Sequence, residues 1–156
     1  MANENPILRK WNQLSALPGG KWLFSQVVAR KAPYFRTVHP LIEELRPNYA
    51  KLKLRKMHSV ENHIGTVHVI AICNLLEMAM GVTAEVSIPQ DLRWIPKGMQ
   101  VDYTAKAGSD ITGIAEIDPA AWQPGDLDVK VTALDDKGVV VVRGTIKLWI
   151  SEKKKK

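Results

Sequence analysis

The chain has a single cysteine, Cys73. No intrachain disulfide can form, so a reducing compartment, the cytoplasm, is the expected setting. The first ten residues, MANENPILRK, hold no apolar signal core, so export is not expected. Long hydrophobic runs are also lacking. The longest, Val69–Val82 (VIAICNLLEMAMGV), is interrupted by Asn74 and Glu77. It falls short of the ~20 apolar residues a bilayer span needs, so no transmembrane segment is expected. No G-x-G-x-x-G and no G-x-x-x-x-G-K-[ST] loop occurs to cradle a phosphate, and no G-x-S-x-G elbow occurs to present a serine. His63 and His68 lie five apart, with no HExxH and no Cys/His set, so no metal and no cofactor are expected. The net charge of +6 includes the four terminal residues Lys153–Lys156. The remaining mild basicity suits a phosphate-bearing small ligand and calls for no nucleic-acid partner.

What is present is organised around one stretch. Asn62-His63-Ile64-Gly65-Thr66-Val67-His68 runs straight into the apolar segment, and neither Gly nor Pro occurs between Thr66 and Met80. The pattern predicts a helix over 66–82, built from residues that favour helix intrinsically. Apolar residues lie on all its sides, which predicts a helix wrapped by other structure. A carboxylate inside such a helix is costly unless paired or working, and burial would raise the pKa of Glu77.

Around this segment, 156 residues suit a single domain, 1–156. Residues 6–31 read as a helical cover, broken at Pro18-Gly19-Gly20, with Ile7, Leu8, Trp11 and Leu14 and then Trp22, Leu23, Val27 and Val28 at helical spacing. Its apolar face packs on the domain or, alternatively, meets a membrane surface, since Arg9, Lys10, Lys21, Arg30 and Lys31 flank it. Pro33–Pro40 is a connector. From Leu41 to Met57 the period becomes two: Ala50, Leu52 and Leu54 alternate with Lys51, Lys53 and Arg55. That row of cations is either a solvated strand face or a landing patch for phosphates. Residues 87–98 read as a loop, because of Pro89, Pro96 and Gly98. Strand-like runs follow at 99–107, 111–117, 127–134 and 139–150, separated by short turns that predict an antiparallel sheet. Residues 152–156 read as a charged tail. His39 and His58 have no partner pattern and are expected on the surface. The expected class is α+β, with a sheet curled around one long buried helix.

These residues resemble the hotdog fold, in particular its PaaI-like acyl-CoA thioesterase branch. The match is Asn62, then Gly65-Thr66-Val67-His68, then Glu77 nine residues after the histidine, followed by the strand Lys97–Ala107. The wider pattern is closer still to a functionally unassigned branch of that superfamily. It shares Trp11, Leu14, Ser15, Pro18-Gly19-Gly20, Phe24 and Ser25 of the cover, and Ala32–Phe35 of the connector. The resemblance implies a curled antiparallel sheet around one buried helix with N-terminal cover helices. It also implies a dimer, or a dimer of dimers, that hydrolyses the thioester of an acyl-CoA or acyl carrier protein. Coenzyme A is expected only as part of the substrate. Where PaaI-like enzymes carry two glycines after the histidine, the first offering its N–H to the thioester oxygen, this chain has Val69 and Ile70.

The chemistry then has named candidates. Thioester hydrolysis needs an activated water and a donor to the oxyanion. Glu77 is the candidate base, or alternatively a structural carboxylate. Asn62 and His68 are candidate donors or orienters, or alternatively cap the helix and hold the loop. Gly65, Thr66, Val69 and Asn74 are candidates for substrate contact, with Thr66 also a candidate cap and Asn74 placed to hold the Glu77 carboxylate. Nine helical residues advance about 13 Å and turn about half a revolution. His68 and Glu77 of one chain therefore cannot meet, and a site using both requires two chains. His63 lies fourteen residues before Glu77. Hotdog β-hydroxyacyl dehydratases use a histidine and an acid at that spacing, so a dehydratase is the second enzymatic reading. The main alternative to hydrolysis, ahead of the dehydratase, is a non-catalytic acyl/CoA-binding protein.

Overall fold

In the computed structural model, which describes residues 5–154, the apolar run forms one helix, α3, Val69–Ser87. It starts later than Thr66 because residues 66–68 are held extended. Val67 bridges Glu61, the Val67 N–H donates to the Ala107 carbonyl at 2.8 Å, and the His68 N–H donates to Val60 at 2.7 Å. The helix also runs past the expected stop at Val82. Gly81 costs about 1 kcal/mol inside a helix. Val82 and Val86 are both buried beyond it, at about 1.5–3 kcal/mol each, so burial wins.

Two helices and a turn precede the sheet: α1, Pro6–Ser15, α2, Gly20–Lys31, and a 3-10 turn, Pro33–Val38. The strands are β1, Leu41–Arg46; β2, Tyr49–Leu54; β3, Leu92–Tyr103; β4, Ile111–Glu116; β5, Gly125–Leu134; and β6, Val140–Glu152. They form one antiparallel sheet in the order β1-β2-β4-β5-β6-β3. Helix α3 carries the chain from β2 to the far edge and packs against β1, β2, β4, β5 and β6. Leu75, Leu76 and Met78 meet Leu52, Leu54, Ile111 and Leu148 in the core. The helix lies so close to β4 that a Cβ on Gly113 would stand 2.9 Å from a Leu75 methyl. This is the hotdog fold: a curled sheet around one long helix, with helical cover. By length and composition α3 could cross a bilayer, yet 61% of it is buried within the sheet, as a core helix is.

The cover packs on the domain. Asn5 caps α1 by accepting from the Ile7 and Leu8 N–H groups. Leu8, Trp11 and Phe24 turn inward, with the Trp11 and Phe24 rings edge to face at 5.2 Å. The Ile42 N–H donates to Ser25 Oγ at 2.8 Å and ties α2 to β1. Trp22 and Leu23 stay on the outer face.

Three expectations change. Residues 87–98 are not all loop, because β3 begins at Leu92 and passes through Pro96. Proline is tolerated there because β3 is an edge strand, bonded to β6 alone, with a register shift between Pro96 and Gly98. Residues 104–107, read as the end of that strand, leave it after Tyr103. The row of cations is a solvated face on which all but Arg55 are matched by carboxylates among the described residues. Lys51 pairs with Glu43 and Glu44, Lys53 with Asp110 and Asp136, and Lys56 with Glu61. The tail begins later than 152: Glu152 closes β6, and Lys153 bonds the carbonyls of Asp91 and Gln90. Lys155 and Lys156, like residues 1–4, lie outside the described residues.

Candidate active site

The loop before α3 is held by its own asparagine. Asn62 Oδ1 accepts from the N–H groups of Ile64 and Thr66, both at 3.1 Å, and its Nδ2 donates to Thr66 Oγ1 at 2.8 Å. The turn closes through Gly65 at φ 74°, a left-handed conformation that costs glycine nothing and a larger residue strain. Thr66 thus serves the loop rather than capping α3. Lys56 anchors the entry to this loop by bonding Glu61 at 2.7 Å, which holds the Glu61 carboxyl below its usual range.

The cap is His68. Its Nδ1 accepts from the Ile70 N–H at 3.1 Å. A ring nitrogen that accepts carries no proton, so the neutral ring is protonated on Nε2 and presents an N–H outward. The Val69 N–H, first in the helix, has no acceptor among the described residues. Such free N–H groups at a helix start favour negative charge.

These groups line one cleft of about 290 Å³. Asn62, His63, Thr66, His68 and Val69 form one wall, and Tyr103, Ala105, Lys106 and Ala107 form the other. Ile72, Val141 and Val142 also line it. The cleft exists because the Val67 N–H bonds Ala107 and pulls the loop against the chain leaving β3. Tyr103 and Lys106 carry no motif that marks them as site residues. Only the pairing of β3 with β6, and of this segment with the loop, brings them there. Lys106 has no carboxylate partner among the described residues.

Three candidates lie outside the cleft: Gly65, in the turn described above, and two on α3. Asn74 is buried and turned towards the connector, donating to Thr37 Oγ1 at 3.2 Å and more weakly to the Tyr34 carbonyl at 3.4 Å. It does not hold Glu77: its amide is turned inward and engaged by the connector, while Glu77 stands exposed one turn on. Glu77 is not in the cleft, and it is exposed rather than buried. It lies on the one open stripe of α3, with exposed Ile70 and half-buried Cys73. It makes no hydrogen bond or ion pair among the described residues. Burial pushes the Cys73 thiol up, so Cys73 is a poor nucleophile. Among the described residues no three His, Cys, Asp or Glu side chains gather as a metal site.

No curated protein matches the chain. Solved structures do. A protein from a structural-genomics programme superposes with a TM-score of 0.81 at 40% identity, covering 96% of this chain and 99% of its own. A Pseudomonas aeruginosa protein of unknown function, described as a probable thioesterase, has a TM-score of 0.73 at 22% identity, covering 88% of this chain and 97% of its own. A thioesterase family protein from Silicibacter pomeroyi has a TM-score of 0.70 at 17% identity, covering 82% of this chain and 96% of its own. At these last two identities the likeness is one of fold. One family model spans residues 20–150, from the first residue of α2 into β6, and the chain belongs to that family, described as Domain of unknown function (DUF4442).

Proposed function

We propose that this chain hydrolyses the thioester of an acyl-CoA or acyl carrier protein in the cytoplasm, at a site completed by a second copy. One observation carries the reading. A cleft with outward donors, the His68 Nε2–H and the Val69 N–H, is separated on the same chain from an exposed, unpaired carboxylate, Glu77. The names of the Pseudomonas and Silicibacter proteins agree with thioester chemistry.

The second copy enters at the edge of the sheet. Strand β3 leaves one edge unbonded and exposes Ile95, Met99 and Tyr103, at 60%, 37% and 62%. An open apolar edge of this kind is a pairing surface. A two-fold axis there generates a dimer with two sites, each taking its cleft from one chain and its acid from the other. A dimer of dimers extends the same symmetry.

At such a site the Val69 N–H and His68 Nε2–H bind the carbonyl oxygen. The partner's Glu77 takes a proton from water, whose oxygen attacks the carbonyl carbon. The C–S bond then breaks, and the proton held by Glu77 passes to the departing thiolate, leaving the acid and the thiol. A base of this kind is worth about 10²–10⁴-fold, and one oxyanion donor about 10²–10³-fold. Lys106 lines the cleft without a carboxylate partner among the described residues, which suits it to a phosphate of coenzyme A. Lys106→Ala is therefore expected to raise KM for acyl-CoA by roughly two- to fivefold, the scale of one exposed ion pair, with kcat unchanged. A short thioester lacking phosphates should show no change. Steady-state kinetics on both substrates checks this.

A panel of acyl-CoA thioesters with thiol detection tests the function. Thiol release above the uncatalysed rate supports it. Saturable binding of the same esters without release would instead favour an acyl-binding protein. One observation lends weight to that second reading: Val69 and the exposed Ile70 side chain crowd the helix start where two glycines would leave room.

A further inference from the structure

A second cavity, of about 350 Å³, lies under the cover, away from the cleft. Phe24 and Val28 of α2, Phe35 of the 3-10 turn, Met78 and Val82 of α3 and Trp94 of β3 wall it. Protein cores pack to a density near 0.74 and leave few voids larger than a water. This volume is instead in the ~300–1,000 Å³ range of small-molecule sites, and its walls are apolar as those sites are. Gly81 keeps one wall open, since a Cβ there would meet only the Trp94 ring, at 3.7 Å.

The rim has the opposite character. Lys10 and Lys31 border the cavity, and neither has a carboxylate partner among the described residues. Residues 5–42 contain no Asp or Glu at all, so nothing on the cover itself offsets them. The one acid at the cavity, Glu85, is engaged by the Trp94 indole N–H at 3.2 Å. An apolar interior with two unmatched ammonium groups at its mouth is complementary to a molecule with an aliphatic tail and an anionic head.

We propose that this cavity is a second binding site, for a single-chain aliphatic carboxylate of medium length. The tail lies between Phe24, Val28, Met78 and Val82, and the carboxylate rests at Lys10 and Lys31. A free fatty acid offers this tail and charge directly; an acyl-CoA offers the same tail with its negative charge on the phosphates. The site needs no catalytic residue and goes beyond the hydrolase reading.

The test is titration of the intact protein with decanoate below its micellar concentration, followed by calorimetry and by Trp fluorescence. One saturable site per chain is expected. Gly81→Leu fills the cavity from α3 and replaces a helix-interior glycine, so it should fold. It is expected to weaken decanoate by at least about tenfold, the loss of roughly two buried methylenes. Val28→Trp blocks the opposite wall and stands in if Gly81→Leu fails to fold. Lys10→Ala with Lys31→Ala should weaken decanoate about two- to fivefold while leaving decanol unchanged. Displacement of decanoate from the wild type by decanoyl-CoA as well as by the free acid would identify the tail as the substrate's own. Displacement by the free acid alone would identify a fatty-acid site. Decanoate binding retained in Glu77→Gln keeps this result independent of turnover. No saturable binding, or binding indifferent to both blocking variants and lost instead on Trp22→Ser with Leu23→Ser at the outer face, overturns the proposal.

Discussion

Glu77→Gln is expected to lower thiol release by about 10²–10⁴-fold, the contribution of one general base, while the protein keeps its fold and its oligomeric state. The substitution is nearly isosteric, and it removes a charge that pairs with nothing among the described residues. Exposed positions of that kind usually change stability by no more than about 0.5 kcal/mol. A loss of activity would therefore report chemistry and not unfolding. Thiol release under saturating acyl-CoA, with circular dichroism and light scattering on the same sample, separates the two. Undiminished turnover in a folded Gln variant would remove Glu77 from the site.

The second large effect concerns the edge strand. Ile95→Asp with Met99→Asp places two carboxylates on the exposed length of β3, where a two-fold axis would bring each pair against its copy. Both side chains are exposed in the single chain, so the fold should survive. The expected result is a monomer at micromolar concentration whose turnover falls to the level of Glu77→Gln, because no complete site remains. Light scattering and the thiol assay check both halves. A wild-type protein that is monomeric at that concentration and still active would count against the shared site.

The sequence revealed the existence of α3 more clearly than its limits. Twelve residues between His68 and Gly81, apolar but for Asn74 and Glu77, announce a core helix. Which residue caps it depends on Nδ1 of His68 facing the Ile70 N–H, and on Val67 bonding Ala107, a contact between segments forty residues apart. Pro96 argued for a loop because proline breaks a central strand. Only the sheet order, which puts β3 at the edge, reverses that inference. The cleft was half legible. Asn62, His63, Thr66, His68 and Val69 come from one continuous motif, whereas Tyr103 and Lys106 arrive by tertiary pairing and carry no local signal. Glu77 reads as buried in the sequence and is exposed in the single chain, for a physical reason. Ile70 and Cys73 look like core residues, and one chain supplies nothing to cover the stripe they share with it. The cavity under the cover is hidden as well, since Gly81 carries no signal of its own and becomes a missing piece of wall only once Trp94 stands opposite.

The central claim is that the cleft of one chain works with the Glu77 of another, and a mixed dimer of two inactive variants tests it most directly. His68→Ala and Glu77→Gln chains carrying different affinity tags are co-expressed, and the doubly tagged species is purified away from both parents. In that species one site carries both substitutions and the other carries neither. The predicted result is recovery of up to half the wild-type activity per dimer. The same pairing with His63→Ala shows which histidine belongs with Glu77. Restoration only in that pairing would assign His63 rather than His68 to the shared site, the arrangement on which the dehydratase reading rests. A doubly tagged dimer as inactive as its parents, with either histidine variant, would contradict the cross-chain site.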